Sequence, residues 1–272
     1  MKKKILSFLI AICLIVPCAF TLVGCKDKET KLEVWNGKVA NVSAAVNNII
    51  TIDTAEELAG FAKSVNSGTS YAGKTIKLAC DMDMKNKTWT PIGVGNRKDI
   101  TGAKPFTGTF DGNGKKIINL SSEGYLPLES YKENEGDING KTYSYGFFGM
   151  TQNAVIKNLT VEVDFDCDDD NLKGDSVGGL VGFANMGLTV ENCKVYGEID
   201  GGYDAVGGLV GRAYNSSPEN SVEIKNCVNK AEVEAMFKAA GILGYASSGT
   251  MYLKIENCVN LHAVNNNIGY LW

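Results

Sequence analysis

The densest group of potential ligands in this sequence is a run of carboxylates between positions 164 and 170. Its alternating members are Asp164, Asp166, Asp168 and Asp170. Oxygen ligands at this density are what Ca²⁺ prefers, so the run is a candidate calcium site. However, Asp169 stands where an EF-hand loop has glycine, and no flanking helices are evident. The alternative is a solvated acidic loop between structural elements, which is what charge runs usually are.

Other residues that often carry catalysis form no recognisable constellation. His262 is the only histidine, and it aligns with Ala231 and Gly197 of earlier repeats, so we expect a surface or corner position. No Ser-His-Asp or Cys-His arrangement can be assembled around it. The cysteines include no Cys-x-x-Cys pair, which argues against zinc. We therefore predict no catalytic residue and no cofactor.

The first 24 residues have the features of a secretion signal. Three lysines at positions 2–4 precede an uncharged stretch of 20 residues. The stretch ends in Leu22-Val-Gly-Cys25, which resembles the lipobox of bacterial lipoproteins. That resemblance implies cleavage before Cys25, a diacylglycerol on its thiol, and a place on the outer face of a membrane in the cell envelope. Residues 25–31 would then be a tether. The alternative is a membrane-spanning helix, since the stretch is long enough.

The composition of the remaining chain fits an extracellular protein. Without its three N-terminal lysines, the chain has 24 basic and 31 acidic residues, a net charge of −7. Arginine occurs only as Arg97 and Arg212. Because nucleic-acid binding requires basic groups that neutralise phosphates, we exclude nucleic acid as a partner.

Two short motifs recur in phase through the second half of the chain. The first has glycines three apart and begins at positions 146, 179, 208 and 241, with spacings of 33, 29 and 33 residues. The second places asparagine before leucine or cysteine, as in Ile156-Lys-Asn158-Leu159 and Val190-Glu-Asn192-Cys193. Because two separate motifs keep the same order, the chain contains internal repeats.

The repeats are predicted to consist of strands. They contain short β-rich runs with Gly and Asn between them, and no long pattern of helical period. If each repeat lies directly over the next, then Asn192, Asn226 and Asn257 form an amide ladder with a bend at each asparagine. Cys193, Cys227 and Cys258 would form an interior file in which the thiols pack as small apolar groups. The paired glycines would let neighbouring coils approach closely.

These segments resemble the GLUG repeat of bacterial surface proteins. The resemblance rests on Gly178-Gly-Leu-Val-Gly182 and its counterparts, and on the upstream stretch from Phe106 to Leu120. It implies an all-β fold, a right-handed parallel β-helix. Its parts would be the N-terminal cap and first coils at 32–120, a looped insertion at 121–145, and GLUG-type repeats at 146–272.

The two ends of this solenoid are expected to differ. Thr54 and Glu57 can form a capping box for a short amphipathic helix that covers the first coil. Leu58, Phe61, Ala62 and Val65 share one face of that helix. At the other end the sequence stops at Trp272 as another coil begins, so we expect a C-terminal truncation.

The function predicted from these features is an adhesion or ligand-binding scaffold at the cell surface. Its partners would be the membrane, through the lipid on Cys25, and an extracellular protein or glycan. The alternative is a carbohydrate-active enzyme, a polysaccharide hydrolase or lyase, because enzymes of that kind exist on this fold. Against it, the chain is acidic and almost free of the arginine that would hold an anionic sugar.

Overall fold

The computed structural model describes residues 31–95, 100–123, 125, 141–169, 172–201, 204–214, 216–247 and 252–266. All of them belong to one compact unit, Lys31–Trp272. The elements of its first half are β1 (Leu32–Val34), β2 (Ile49–Ile52), α1 (Ala55–Asn66), β3 (Thr75–Leu78), β4 (Asp81–Asp83), β5 (Thr109–Asp111), β6 (Lys116–Ser121), β7 (Lys141–Tyr145), β8 (Phe148–Lys157), β9 (Thr160–Asp166) and β10 (Asp168–Asp169). The second half contains β11 (Leu172–Gly178), β12 (Val181–Glu191), β13 (Lys194–Asp200), β14 (Ala205–Gly207), β15 (Val210–Tyr214), β16 (Val222–Lys225), β17 (Val228–Ala235), β18 (Lys238–Ala240), β19 (Leu243–Ala246), β20 (Leu253–Glu256), β21 (Val259–Asn260) and β22 (Val264–Asn266).

Within the described residues, these strands form three sheets. The eight-stranded sheet has the order β1-β4-β6-β9-β13-β17-β21, and β22 also pairs with β17. The nine-stranded sheet has the order β19-β15-β12-β8-β5-β3-β2, with β16 and β20 joined through β12. The five-stranded sheet has the order β10-β11-β14-β18, and β7 lies beside β11. Paired strands run parallel except β10 and β11. The protein is therefore all-β with parallel sheets.

Each repeat pairs in register with the next one. Ile156 pairs with Val190, Val190 with Ile224, and Ile224 with Ile255. Residues about thirty apart therefore lie on adjacent strands, at a spacing of about 4.8 Å. The predicted pairing of equivalent positions in successive repeats is confirmed.

The asparagine of the second motif bends the chain in each repeat. Asn158, Asn192 and Asn226 have a φ of 54°, and Asn257 has 51°, all in the left-handed region. Nδ2 of Asn192 donates to Oδ1 of Asn158 at 3.3 Å, and Nδ2 of Asn257 donates to Oδ1 of Asn226 at 3.2 Å. The predicted bend is confirmed at every asparagine, and of the predicted ladder the contact between Asn226 and Asn257 is present.

The cysteines after the asparagines fill the interior. Cys193 and Cys227 are fully buried, Cys258 is half-buried, and all three are free thiols. Leu159 takes the same position in the preceding repeat and is also buried. Burial raises the pKa of the Cys193 thiol, which favours the neutral, poorly reactive form. The predicted file is confirmed for Cys193 and Cys227, whereas Cys258 of the last repeat is partly exposed.

The glycines of the first motif allow neighbouring strands to approach closely. A Cβ at Gly182 would lie 2.6 Å from the backbone nitrogen of Tyr145. At Gly208, a Cβ would lie 2.3 Å from the Asn229 side chain. That amide is buried and accepts a hydrogen bond from Ala231 N at 3.1 Å. A side chain at either glycine would push neighbouring strands apart.

Helix α1 begins as the capping motif predicts. Oγ1 of Thr54 accepts from the backbone N–H of Glu57 at 3.2 Å. The Glu57 carboxylate accepts from the backbone N–H of Asp53 at 2.8 Å, one residue earlier than in a strict capping box. The predicted apolar face is buried, and the Phe61 ring packs 5.7 Å from that of Phe106.

The predicted insertion and the last repeat differ from the compact units between them. The end of the predicted loop at 121–145 is strand β7, which pairs with β11, while residues 124 and 126–140 lie outside the described residues. In the last repeat, Ile255 is 43% exposed, whereas Ile224 beneath it is fully buried. Residues 267–272, on which the predicted truncation rests, also lie outside the described residues.

Candidate ligand-binding groove

The outward face of β9, β13 and β17 carries carboxylates at matching positions. Along β9, buried Val161, Val163 and Phe165 alternate with exposed acidic residues. A strand with one face in the core must direct the intervening side chains outward. Because the three strands pair in register, outward positions of successive repeats fall side by side.

Two acidic rows result from this register. In the first row Asp164 pairs with Glu198, and Glu198 pairs with Glu232. In the second row Asp166 pairs with Asp200, which pairs with Glu234. Like charges on adjacent strands repel each other, so the first row carries an electrostatic cost that opposite charges on a ligand would relieve.

The first row borders a shallow groove of about 430 Å³. Gly197 lies in it with a φ of +101°, and a Cβ there would lie 1.9 Å from the carbonyl oxygen of Val163. The backbone geometry therefore requires glycine, and the groove is open at this position. The polar residues that line the groove are Asn86, Asn119, Glu162, Asp164, Glu198, Glu232 and His262.

Hydrogen bonds hold some of the groove residues. Nδ2 of Asn119 donates to Oδ1 of Asp83 at 2.8 Å. Oε1 of Glu232 accepts from Nδ2 of Asn265 at 3.1 Å. The groove therefore combines four carboxylates, two amides and one imidazole from several repeats. This chemistry suits a ligand with cationic or hydrogen-bond-donating groups.

The predicted calcium ligands are only partly placed by the structure. Asp164 and Asp166 lie on β9 and Asp168 lies on β10, whereas Asp170 lies outside the described residues. The alternative of an acidic loop is wrong for the start of this run, because the buried Phe165 continues the strand alternation. Across the part of the chain that the structure describes, no group of three or more His, Cys, Asp or Glu could hold a metal ion. The calcium site stays a prediction.

His262 lies at the surface, as predicted. It is exposed and lines the groove together with Glu198 and Glu232. The alignment of His262 with Gly197 and Ala231 already contained this information, since Gly197 and Ala231 do pair in register. The proximity of this histidine to the acidic rows depends on the pairing of β9, β13 and β17 and was not predicted.

A buried ionic cluster was also missed. Arg212 is 2% exposed, and its Nη2 contacts Oδ2 of Asp204, while its Nε donates to Ser176 Oγ at 3.0 Å. Asp175 is 1% exposed, and its Oδ2 lies 3.9 Å from Nε of Arg212. Nζ of Lys238 contacts the other oxygen of Asp204. Two acidic and two basic groups therefore compensate one another in a mostly buried site.

Aromatic rings complete this cluster. The Arg212 guanidinium carbon lies 4.7 Å from the centre of the Tyr245 ring and 5.7 Å from that of Tyr214. Arg212 pairs with Phe183 on one side and with Tyr245 on the other. The sequence did contain a signal for this cluster. Arg212 is one of only two arginines, and it stands at a position that is aromatic in neighbouring repeats.

The predicted lipidation site lies outside the described residues. Cys25 belongs to the range 1–30, so its lipidation stays a prediction. No helix among the described residues has the length and apolar character needed to cross a membrane.

Comparison with known proteins gives two distant similarities. No family model matches this chain, so the GLUG resemblance stays a prediction. Halomucin from Haloquadratum walsbyi is 29% identical over 203 residues, which cover 71% of this chain and only 2% of Halomucin. A solved structure from Bacteroides ovatus, named as a candidate immunoglobulin A1 protease, has 20% identity and a TM-score of 0.43. That similarity covers 79% of this chain and 57% of the other. The names of these two proteins therefore assign no function to this chain.

Proposed function

We propose that this chain is a lipid-anchored cell-surface protein whose repeats form a right-handed parallel β-helix of the GLUG type. It would serve as an adhesion or ligand-binding scaffold. The pairing of each repeat with the next supports a continuous coil, and parallel strands joined through crossovers are almost always right-handed. The buried face of α1 supports its role as the N-terminal cap, which solenoids require.

The observation that carries the binding role is the acidic groove. Asp164, Glu198 and Glu232 come from three successive repeats and meet on one outward face. Repeat proteins bind through extended surfaces of this kind, to which each repeat adds a small part. The ligand would be an extracellular protein or glycan with basic groups, because complementary charge accelerates encounter and fixes orientation.

Anchoring places this surface at the outer face of a membrane. The supporting feature is the sequence Leu22-Val-Gly-Cys25 after an uncharged stretch. A lipid with two acyl chains on Cys25 would hold the protein stably, whereas a single chain would hold it only marginally.

A binding screen tests the scaffold role. The full chain is passed over immobilised extracellular matrix proteins and glycans, including basic ones, and surface plasmon resonance is recorded. We expect saturable binding to a basic ligand that weakens in the Glu198→Gln/Glu232→Gln variant. The control is Lys194→Gln, on the same strand as Glu198, which should not weaken binding. Absence of saturable binding, or equal binding by the double variant, would overturn the proposal.

A polysaccharide-active enzyme is the second candidate, because the groove brings several carboxylates close to His262. Glycoside hydrolases use a pair of carboxyl groups on either side of the scissile bond. Release of reducing sugar or of an unsaturated product from a polysaccharide panel tests this role. Turnover that disappears in Glu198→Gln while the fold is retained would favour the enzyme over the scaffold.

A further inference from the structure

The start of the described chain exposes an unusual number of aliphatic side chains. Their exposed fractions are 50% for Leu32, 41% for Val34, 52% for Val39, 71% for Val46 and 43% for Ile49, and we name these five residues the N-terminal rim. Among the described residues between positions 50 and 247, Ile100 is the only large apolar side chain that is exposed to a similar degree. Apolar exposure is therefore concentrated at the ends of the repeat array.

The rim residues on strands occupy outward positions. Leu32 pairs with Asp81, Val34 with Asp83, and Ile49 with Thr75, none of which is buried. The exposed residues at the other end are different, since Ile255 and Val264 pair with the buried Ile224 and Val233. Another coil would cover Ile255, but it would not cover the outward Leu32 and Val34. The rim therefore places apolar groups where the adjacent strands carry polar ones.

An apolar cavity opens beside the rim. It encloses about 520 Å³ and is lined by residues that include Trp35, Val39, Ala59, Ala62, Lys63 and Trp89. The rings of Trp35 and Trp89 meet edge to face, with centroids 6.5 Å apart. Trp35 is 8% and Trp89 is 1% exposed, so both belong to the core and mark the wall of the cavity next to the rim.

The tether limits how far the rim can lie from a membrane. Cys25 precedes Leu32 by seven positions. A fully extended chain covers at most about 3.4 Å per residue, so a lipid on Cys25 would keep Leu32 within about 24 Å of the bilayer surface.

We propose that the N-terminal rim is a membrane-docking surface that contacts lipid acyl chains and headgroups. This inference rests on the anchoring part of the proposed function. An anchor alone would leave the orientation of the protein on the bilayer unfixed, whereas docking of the rim would hold the first strands, β1 and β2, beside it. The acidic groove then stays in solution, where the negative surface of the membrane does not compete for its ligand.

Fluorescence quenching by brominated lipids tests this proposal. The full chain carrying Trp272→Phe, which leaves Trp35 and Trp89 as its tryptophans, is reconstituted in phosphatidylethanolamine/phosphatidylglycerol vesicles with brominated acyl chains. The rim variant is Leu32→Ser/Val34→Ser/Ile49→Ser. Its matched control is Ile255→Ser/Leu261→Ser/Val264→Ser, which removes exposed apolar groups at the other end. Circular dichroism and thermal melting establish that all variants are folded.

If the rim docks, quenching should be strong in the parent and in the control. It should be at least about threefold weaker in the rim variant, because three aliphatic contacts with the acyl chains are lost. Equal quenching of the rim variant would overturn docking. Mass spectrometry of the Cys25 peptide tests the anchor separately. Absence of lipid on Cys25 together with rim-dependent quenching would overturn lipid anchoring and would support docking through the rim.

Discussion

Glu198 on β13 pairs directly with Glu232 on β17, so two carboxylates of successive repeats lie side by side on the exposed face of the eight-stranded sheet. Asp164 extends the row on the other side of Glu198. A row of like charges lowers stability and is unfavourable for folding alone. Its presence on an otherwise well-packed sheet fits the binding role that we propose for the groove.

Neutralising the middle of this row should stabilise the protein. We expect Glu198→Gln to raise the free energy of unfolding by about 0.2–1 kcal/mol in dilute buffer, because it removes repulsion from both neighbours. The gain should shrink at high salt, where charges are screened within a few ångströms. Urea unfolding at low and high salt measures both effects. Lys194→Gln, whose paired neighbours are Thr160 and Val228, should give no such gain; stabilisation of equal size would argue against repulsion in the row.

The asparagine bends make a second prediction. We expect Asn192→Ala to destabilise the protein by about 1–2 kcal/mol, since alanine pays the full cost of the left-handed conformation. Asn192→Gly should cost less, because glycine adopts this conformation freely and only the contact with Asn158 is lost. Thermal melting of the two variants gives the order. A glycine variant less stable than the alanine variant would contradict the role of φ.

The sequence was sufficient to predict the stacking because its signals are local and repeated. The asparagine and the cysteine that follows it recur with the same spacing. The asparagine tolerates the left-handed bend, and the cysteine is small and apolar enough to pack in the interior. Helix α1 was equally predictable, since the Thr54 cap and the buried face from Leu58 to Val65 lie within one short segment.

Removing the buried guanidinium should have a much larger effect than the surface changes. Arg212→Met is expected to lower the free energy of unfolding by about 3–5 kcal/mol, because Asp175 and Asp204 lose their buried cationic partner. Arg212→Lys should retain part of this stability. The control is Lys230→Met on the surface, which removes a contact with the Tyr196 ring and should cost at most about 1 kcal/mol. Chemical denaturation measures all three, and a small loss in Arg212→Met would show that the cluster is not stabilising.

The same cluster should make stability depend on pH in the acid range. Burial alone would raise the pKa of Asp204, but Lys238 and Arg212 outweigh it and hold that pKa below its ordinary value. The unfolded chain then binds more protons than the folded one as the pH falls below about 4, so this part of the stability is lost there. Asp204→Asn should flatten the dependence of unfolding free energy on pH below 4, which chemical denaturation over a range of pH values measures. An unchanged slope in Asp204→Asn would contradict the depressed pKa.

The groove and the cluster were harder to predict because they depend on register between distant segments. Glu162, Glu198, Glu232 and His262 are ordinary surface residues when each is considered alone. They meet only because β9, β13 and β17 pair without a shift. The partners of Arg212 could not be identified from the sequence, because Asp175 and Asp204 come from other strands or turns of the fold. Small differences in repeat length could have moved any of these residues to another position.

A crystal structure of the chain tests the central claim most directly, through the Cα positions of Asn158, Asn192, Asn226 and Asn257. We predict a single file in which each is about 4.8 Å from the next, one strand spacing, with every φ in the left-handed region. The account would be contradicted if these four residues lay on different sheets, or if the cysteines that follow three of them faced solvent instead of a shared interior.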